Sequence, residues 1–131
     1  MIVSSIKTVF QSDIKKVWDT VLFVENYSWR SDLSRTEVLN EKQFIEYTKD
    51  GYTTVFSVTV TEPYKQWEFN MENKNMRGHW VGIFTQKGAK TEVEFTECIT
   101  AKKIFLKPFV KIYLKKQQSR FIEDLKKELL R

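Results

Sequence analysis

The sequence has very little of the residues that form disulfides, metal centres and phosphate-binding loops. Among its 131 residues there is one cysteine, Cys98, and one histidine, His79. A single cysteine excludes an internal disulfide, and with one histidine there is no ligand set for a zinc site. The four glycines are isolated, which excludes a glycine-rich phosphate loop. We therefore expect neither a metal nor another cofactor.

Long hydrophobic runs are also missing. No window approaches the ~18 apolar residues that a transmembrane helix needs. The first ten residues, MIVSSIKTVF, lack the charged region and long apolar run of a signal peptide. Together with the single free cysteine, these absences predict a cytoplasmic protein.

The composition is otherwise that of one globular domain spanning residues 1–131. Hydrophobic residues make up 41% and charged residues 30% of the chain. Aromatic content is high at 15%, with 10 Phe, 5 Tyr and 4 Trp. Because each aromatic side chain buries roughly 150–250 Å², the sequence predicts a broad apolar interior or a pocket lined by rings.

Positive charge is concentrated at one end of the chain. The net charge is +5, but residues 102–131 contain ten Lys or Arg against three Asp or Glu, a balance of +7. This surplus indicates a solvated helix face, a contact with an acidic lipid surface, or nucleic-acid binding. We expect no nucleic-acid partner, because the basic residues lie on one helix whose apolar side is needed for the core.

That helix is predicted over residues 107–131. Pro108 fits its first turn, and no other Pro or Gly follows. An apolar stripe recurs at helical spacing and consists of Val110, Leu114, Phe121, Leu125 and Leu129.

Most of the preceding chain alternates as strands do. Ser12 is the predicted N-cap of an amphipathic helix over 13–22, and a second short helix or a loop is expected over 24–33. Asp50-Gly51 is the clearest turn signal. Strands are predicted over residues 2–10, 35–40, 43–49, 52–61, 66–72, 76–86 and 91–100. Short turns between strands favour an antiparallel meander, so the expected class is α+β, with a curved sheet closed by the last helix.

With this element order the chain resembles the START-like superfamily, also called SRPBCC. The resemblance covers essentially the whole length. It is carried by four segments, which are SDIKKVWDTVLFVENYSWRSDL, EYTKDGYTTVFSVTVTEPYKQWEFNME, GHWVGIFTQKGAKTEVEFTE and the closing amphipathic helix. The resemblance implies a helix-grip fold, in which a seven-stranded antiparallel sheet wraps around a long C-terminal helix and leaves an apolar cavity.

Three functions remain open at this point. The first is binding of a hydrophobic small molecule or lipid in the cavity. The second is an enzyme similar to polyketide cyclases and dehydratases of the same superfamily. The third is an interaction module that docks through the basic helix on an acidic membrane surface or other acidic partner. The protein is expected to be a monomer or a homodimer.

Strand parity and the resemblance together define candidate ligand-binding residues. The proposed cavity wall consists of Phe56, Val58, Trp67, Phe69, Trp80, Phe84 and Phe95. A filled aromatic core is the competing interpretation. The resemblance implies that Trp29 and Arg30 border the cavity entrance, where a guanidinium binds a carboxylate or phosphate. Phe109 and Tyr113 lie partly off the main stripe of the last helix and are expected at the cavity mouth, where flanking lysines suit an anionic amphiphile.

Glu97 is the most informative single residue. It shares inward parity with Val93 and Phe95, so a carboxyl group is predicted to point at the cavity. It then serves as a ligand anchor or a general acid/base. The competing interpretations are that a local bulge turns it outward or that it pairs with a lysine near the mouth. His79 is the other candidate catalytic residue, although a lone histidine in a strand is more often an exposed or hydrogen-bonded group.

Overall fold

The computed structural model describes residues 1–131 and contains one seven-stranded antiparallel sheet and two α-helices. The predicted α+β class and strand number are confirmed. The elements, in chain order, are β1 (Ile2–Phe10), α1 (Ile14–Leu22), β2 (Leu33–Val38), β3 (Gln43–Thr48), β4 (Thr53–Glu62), β5 (Gln66–Glu72), β6 (Met76–Lys87), β7 (Lys90–Ala101) and α2 (Lys107–Leu129). A short 3-10 turn, Ile104–Leu106, precedes α2.

The sheet is a meander with one exception. Its strand order is β1-β7-β6-β5-β4-β3-β2, so β2 to β7 each pair with their sequence neighbours, and β1 pairs with β7. Two hairpins turn at glycines in the left-handed region, Gly51 at φ +93° and Gly88 at φ +62°. Glycine has no Cβ and adopts these angles without steric cost. The Asp50-Gly51 turn is therefore confirmed.

The inward face of β6 is the parity of Trp80 and Phe84, both of which are buried. Gly82 lies between them on that face, and a Cβ there would approach the indole ring of Trp80 to about 2.5 Å. The glycine thus leaves room for the ring of Trp80 to lie along the strand. Val81 and Ile83, on the opposite parity, are only partly buried.

Helix α2 covers the inward face of the sheet, as predicted. Val110, Leu114, Leu125 and Leu129 are buried on its apolar stripe. Two buried positions of α2 are polar, Gln118 and Asp124. Gln118 accepts a hydrogen bond from Ser4 Oγ at 2.8 Å and donates one to the Ser4 carbonyl at 2.9 Å. This pairing docks α2 across β1. Neither α-helix is both long and apolar enough to cross a bilayer.

One local prediction between β1 and β2 was wrong. The N-cap of α1 is Asp13 rather than Ser12, since Asp13 Oδ1 accepts a hydrogen bond from Lys16 N at 2.9 Å. Residues 24–32 form turns, which is the loop that the sequence left open beside a second helix, and Leu33 begins β2. Here Ser31 donates from both its backbone N and its Oγ to Asp124 Oδ2 on α2, each at 2.8 Å. Tertiary hydrogen bonds thus hold this segment in place.

Candidate functional site

A cavity of about 160 Å³ lies between the inward face of the sheet and α2. Its lining includes members of both hydrophobic clusters of the core, the larger one and a small one formed by Ile99, Val110 and Leu114. The aromatic residues that line it are Tyr27, Trp29, Phe44, Phe56, Trp67, Phe69, Trp80, Phe95, Tyr113, Phe121 and, at the rim, Phe23. Rings from five strands, from α2 and from the α1–β2 connection therefore converge on one space.

The rings of the sheet support one another across strands. Phe69 stacks on Trp80 with centroids 4.7 Å apart, and Phe44 stacks on Phe56 at 4.8 Å. Trp67 meets Phe69 edge-on at 5.0 Å. Each such pair contributes ~0.5–1.5 kcal/mol beyond the area it buries. The cavity wall is consequently held in one arrangement without a ligand.

Two residues of the proposed wall lie outside the cavity. Phe84 follows Trp80 by four residues, or ~13 Å along the strand, and packs edge-on against Trp18 of α1 at 4.9 Å. It therefore belongs to the filled core beneath α1. Val58 packs against the same core cluster. It lies at a bulge in β4, where the register shifts between Val58 and Val60.

Glu97 lines the cavity, opposite Trp80 on β6 and opposite Ser4 on β1. Its carboxyl group has no hydrogen-bond or ion-pair partner in the chain. Burial raises the pKa of Glu97 to about 7, with a further contribution from the negative charge of Glu46 and an opposing one from Arg30. A lone buried carboxyl group facing an apolar space is costly to ionise, so Glu97 exchanges its proton near neutral pH.

Arg30 also lines the cavity, but its guanidinium is already bound. Nε and Nη2 each donate to a different carboxylate oxygen of Asp32 at 3.3 Å, and Nη1 donates to Glu46 Oε2 at 3.2 Å. The group lies 4.9 Å from the centroid of the Phe121 ring. Burial by itself would lower the pKa of Arg30, yet the carboxylates of Glu46 and Asp32 raise it overall. Arg30 is therefore a fixed cation within an ion cluster.

Two further lining residues, Trp29 and Tyr113, carry polar groups. The indole Nε1 of Trp29 is buried and has no acceptor, although a buried donor almost always has one. The hydroxyl group of Tyr113 accepts a hydrogen bond from Gln117 Nε2 at 3.0 Å, and burial raises the pKa of this phenol. The indole N–H of Trp29 and the carboxyl group of Glu97 thus have no hydrogen-bond partner in the chain.

His79 and Phe109 lie outside the cavity. His79 is on the opposite face of the sheet, where Nδ1 is 2.7 Å from Asn70 Oδ1 and Nε2 is 2.7 Å from Glu68 Oε1. The hydrogen bond from His79 lowers the pKa of Glu68. Phe109 is 64% exposed because it lies off the buried stripe of α2, to which its neighbour Val110 belongs. Of the two candidate catalytic residues, Glu97 therefore lines the cavity and His79 does not.

Sequence reasoning did not include four lining residues that matter here, namely Asp32, Phe44, Glu46 and Phe121. Phe44 and Glu46 share a face of β3 at strand spacing, so parity could have placed them. Phe121 was assigned to the helix stripe, but not to the cavity. Nothing local marks Asp32 as a partner of Arg30.

No known family model matches the sequence, and no curated protein matches it. Solved structures match its fold. A START superfamily protein from Mycobacterium smegmatis has a TM-score of 0.89 at 11% identity, covering 97% of this chain and 96% of its own. The Zhui aromatase/cyclase from Streptomyces sp. R1128 has a TM-score of 0.90 at 9% identity, with coverages of 99% and 94%. A conserved protein from Geobacillus kaustophilus has a TM-score of 0.85 at 14% identity, covering 98% of this chain and 95% of its own.

These matches span nearly the whole chain at identities too low to carry function. They agree with the element order, the seven-stranded sheet and the long closing helix. The chain therefore has the START-like (SRPBCC) helix-grip fold.

Proposed function

We propose that the protein binds a compact, ring-bearing small molecule in the cavity between the sheet and α2. The observation that carries this proposal is a space of about 160 Å³ walled by aromatic rings. An engineered cavity of ~150 Å³ holds benzene, so one or two rings fit here. A lipid with full acyl chains would need the mouth to widen.

The expected affinity follows from the apolar area removed from water. A ring of roughly 200 Å² at ~25 cal/mol per Å² gains ~5 kcal/mol, before the cost of association is subtracted. Without that cost, ~5 kcal/mol corresponds to a Kd of ~0.2 mM, so a plain aromatic ring binds no tighter than this. Tight binding requires the polar groups that lack partners, Glu97 and the indole N–H of Trp29.

Filling the cavity should abolish binding. Met71 lines it from β5, and we expect Met71→Trp to weaken the binding of indole at least tenfold, measured by calorimetry. Val81→Trp, on the opposite face of the sheet, is the matched control and should bind like wild type. Circular dichroism verifies that both variants fold. Wild-type protein that binds neither indole nor an apolar dye, and is ligand-free in native mass spectrometry after mild purification, would contradict the proposal.

Catalysis in the same cavity is the second candidate. It is favoured by the pKa of about 7 for Glu97, because a general acid/base works best when its pKa is near the working pH. A cyclase or dehydratase would use the ring-lined walls to fold its substrate and Glu97 to move protons. In that case Glu97→Gln abolishes turnover, whereas His79→Ala on the outer face does not.

A contact with an anionic membrane surface is the third candidate. The start of α2 and the preceding 3-10 turn expose four large apolar side chains, Ile104 at 82%, Phe105 at 66%, Phe109 at 64% and Ile112 at 59%. Lys103 and Lys107 lie beside them in the sequence. An apolar patch within a basic rim matches the chemistry of an anionic bilayer interface.

Vesicle co-sedimentation tests this contact. We expect binding to phosphatidylserine vesicles, little binding to neutral phosphatidylcholine vesicles, and loss of binding at high salt. The double variant Phe105→Ala/Phe109→Ala should bind at least fivefold more weakly, while Val38→Ala/Leu39→Ala, at an exposed site on the other sheet edge, should not change binding. Concentration-dependent dimerisation without vesicle binding would instead make the patch a contact between copies.

A further inference from the structure

The charge of the cavity is opposite in sign to that of the whole protein. The chain carries a net charge of +5, yet the charged residues that line the cavity are one arginine and four acidic residues, Arg30, Asp32, Glu46, Glu72 and Glu97. No lysine or histidine lines it. The basic residues of α2 therefore do not determine the electrostatics of the interior.

Only one of these charges lacks a partner. Asp32 and Glu46 share the guanidinium of Arg30 at 3.2–3.3 Å. Glu72, at the rim, pairs with Lys102 Nζ at 2.5 Å. Glu97 alone has no counter-charge and faces the open space. A ligand that compensates the charge of Glu97 is therefore a cation.

We propose that the ligand is a small organic cation, an amine carried on an aromatic or apolar body, whose ammonium group pairs with Glu97. This inference rests on the proposed function, since it names the ligand class of the same cavity. An anion would meet an uncompensated carboxylate and find no free cation, because the donors of Arg30 that face carboxylates are occupied.

The aromatic wall also suits a cation. Ring faces attract ammonium and guanidinium groups within about 6 Å of their centroids. The protein itself shows this arrangement, because Arg30 lies 4.9 Å from the centroid of Phe121 and 5.8 Å from that of Trp29. A cation that enters the cavity loses its hydration shell, and contacts with the rings and with a carboxylate take the place of that water. A neutral ring compound would leave Glu97 without a partner.

Binding of such a ligand depends on pH through Glu97. The other charged and titratable groups that line the cavity are Tyr27, Arg30 and Asp32 from the α1–β2 connection, Glu46 from β3, Glu72 at the end of β5 and Tyr113 from α2. The neighbouring strand residues Ser4 and Trp80 do not ionise. Below neutral pH Glu97 holds a proton and no longer pairs with an ammonium group, so cation affinity should fall as pH falls.

Calorimetry with three ligands of similar shape tests the inference. They are the 2-phenylethylammonium cation, neutral 2-phenylethanol and the 3-phenylpropanoate anion, each titrated at about pH 8 and about pH 5.5, where the amine remains charged. At about pH 8 we expect the cation to bind ~10-fold more tightly than the alcohol, as a charge-assisted hydrogen bond provides. This preference should shrink at about pH 5.5.

Two variants separate the carboxyl group from the rest of the cavity. Glu97→Gln should lose the cation preference and its pH dependence but still bind the alcohol. Glu94→Gln, exposed on the outer face of the same strand, should behave like wild type. Equal or tighter binding of the alcohol at about pH 8, or a cation preference that survives in Glu97→Gln, overturns the inference and leaves the proposed function intact. If none of the three ligands and no apolar dye binds, both fail.

Discussion

Replacing Glu97 with glutamine should raise the free energy of unfolding by about 3 kcal/mol at about pH 8 and leave it unchanged near pH 4. Burial raises the pKa of Glu97 from its ordinary 4.5 to about 7 in the folded protein. Between these values the folded chain holds a proton that the unfolded chain has released, so stability falls as pH rises through this window. Glutamine has nearly the same shape and no charge, so it avoids this loss.

Denaturant unfolding of wild type and Glu97→Gln at about pH 4, 6 and 8 measures the effect. The two stability curves should meet at the acidic end and separate steadily through neutrality. Glu94→Gln removes an exposed carboxyl group from the same strand and serves as the control, with an expected change below ~0.5 kcal/mol. A constant difference between Glu97→Gln and wild type at all three values would show that Glu97 is not held protonated by burial.

Removing Arg30 should be the most destabilising change at the site. We expect Arg30→Ala to lower the free energy of unfolding by ~3–5 kcal/mol, because it leaves the buried carboxylates of Asp32 and Glu46 without a counter-charge. The side chains of these acids are only 9% and 15% exposed. The variant also loses the contact between the guanidinium and the ring of Phe121.

Arg35 provides the matched control. It also pairs with a glutamate and lies over an aromatic ring, Tyr47, but its side chain is 55% exposed. Arg35→Ala should cost below ~1 kcal/mol. The triple variant Arg30→Met/Asp32→Asn/Glu46→Gln should recover most of the stability lost in Arg30→Ala. If it recovers none, ring stacking rather than ion pairing carries the contribution of Arg30.

Much of the fold could be predicted from the sequence because its signals are local. Alternating apolar residues mark the strands, since strand side chains point to opposite faces with a period of two. The apolar stripe on α2 marks its buried side, because residues at helical spacing lie on one face of a helix. The error lies between β1 and β2, where Asp13 rather than Ser12 caps α1. The sequence also left residues 24–33 open between a helix and a loop, and in the structure Ser31 of this segment bonds to Asp124 on α2. A bond to a residue 93 positions away leaves no local pattern.

In the candidate site too, local patterns predicted some features, and tertiary packing determined the others. Strand parity alone placed Glu97, Phe69 and Phe95 on the face that meets α2. It could not tell that Phe84 would be covered by Trp18, because that depends on where α1 crosses the sheet.

By itself, the sequence determined the α+β class, the inward set of rings and the presence of one carboxyl group among them, because these depend on the periodicity of single elements. Only the tertiary structure decided which of the charged groups in the cavity lack a partner of opposite charge. Arg30 lies in the α1–β2 connection and Glu46 on β3, and their hydrogen bond makes the guanidinium unavailable to Glu97. Pairing among buried charges depends on distances of a few ångströms between separate segments, and the order of residues along the chain does not specify those distances.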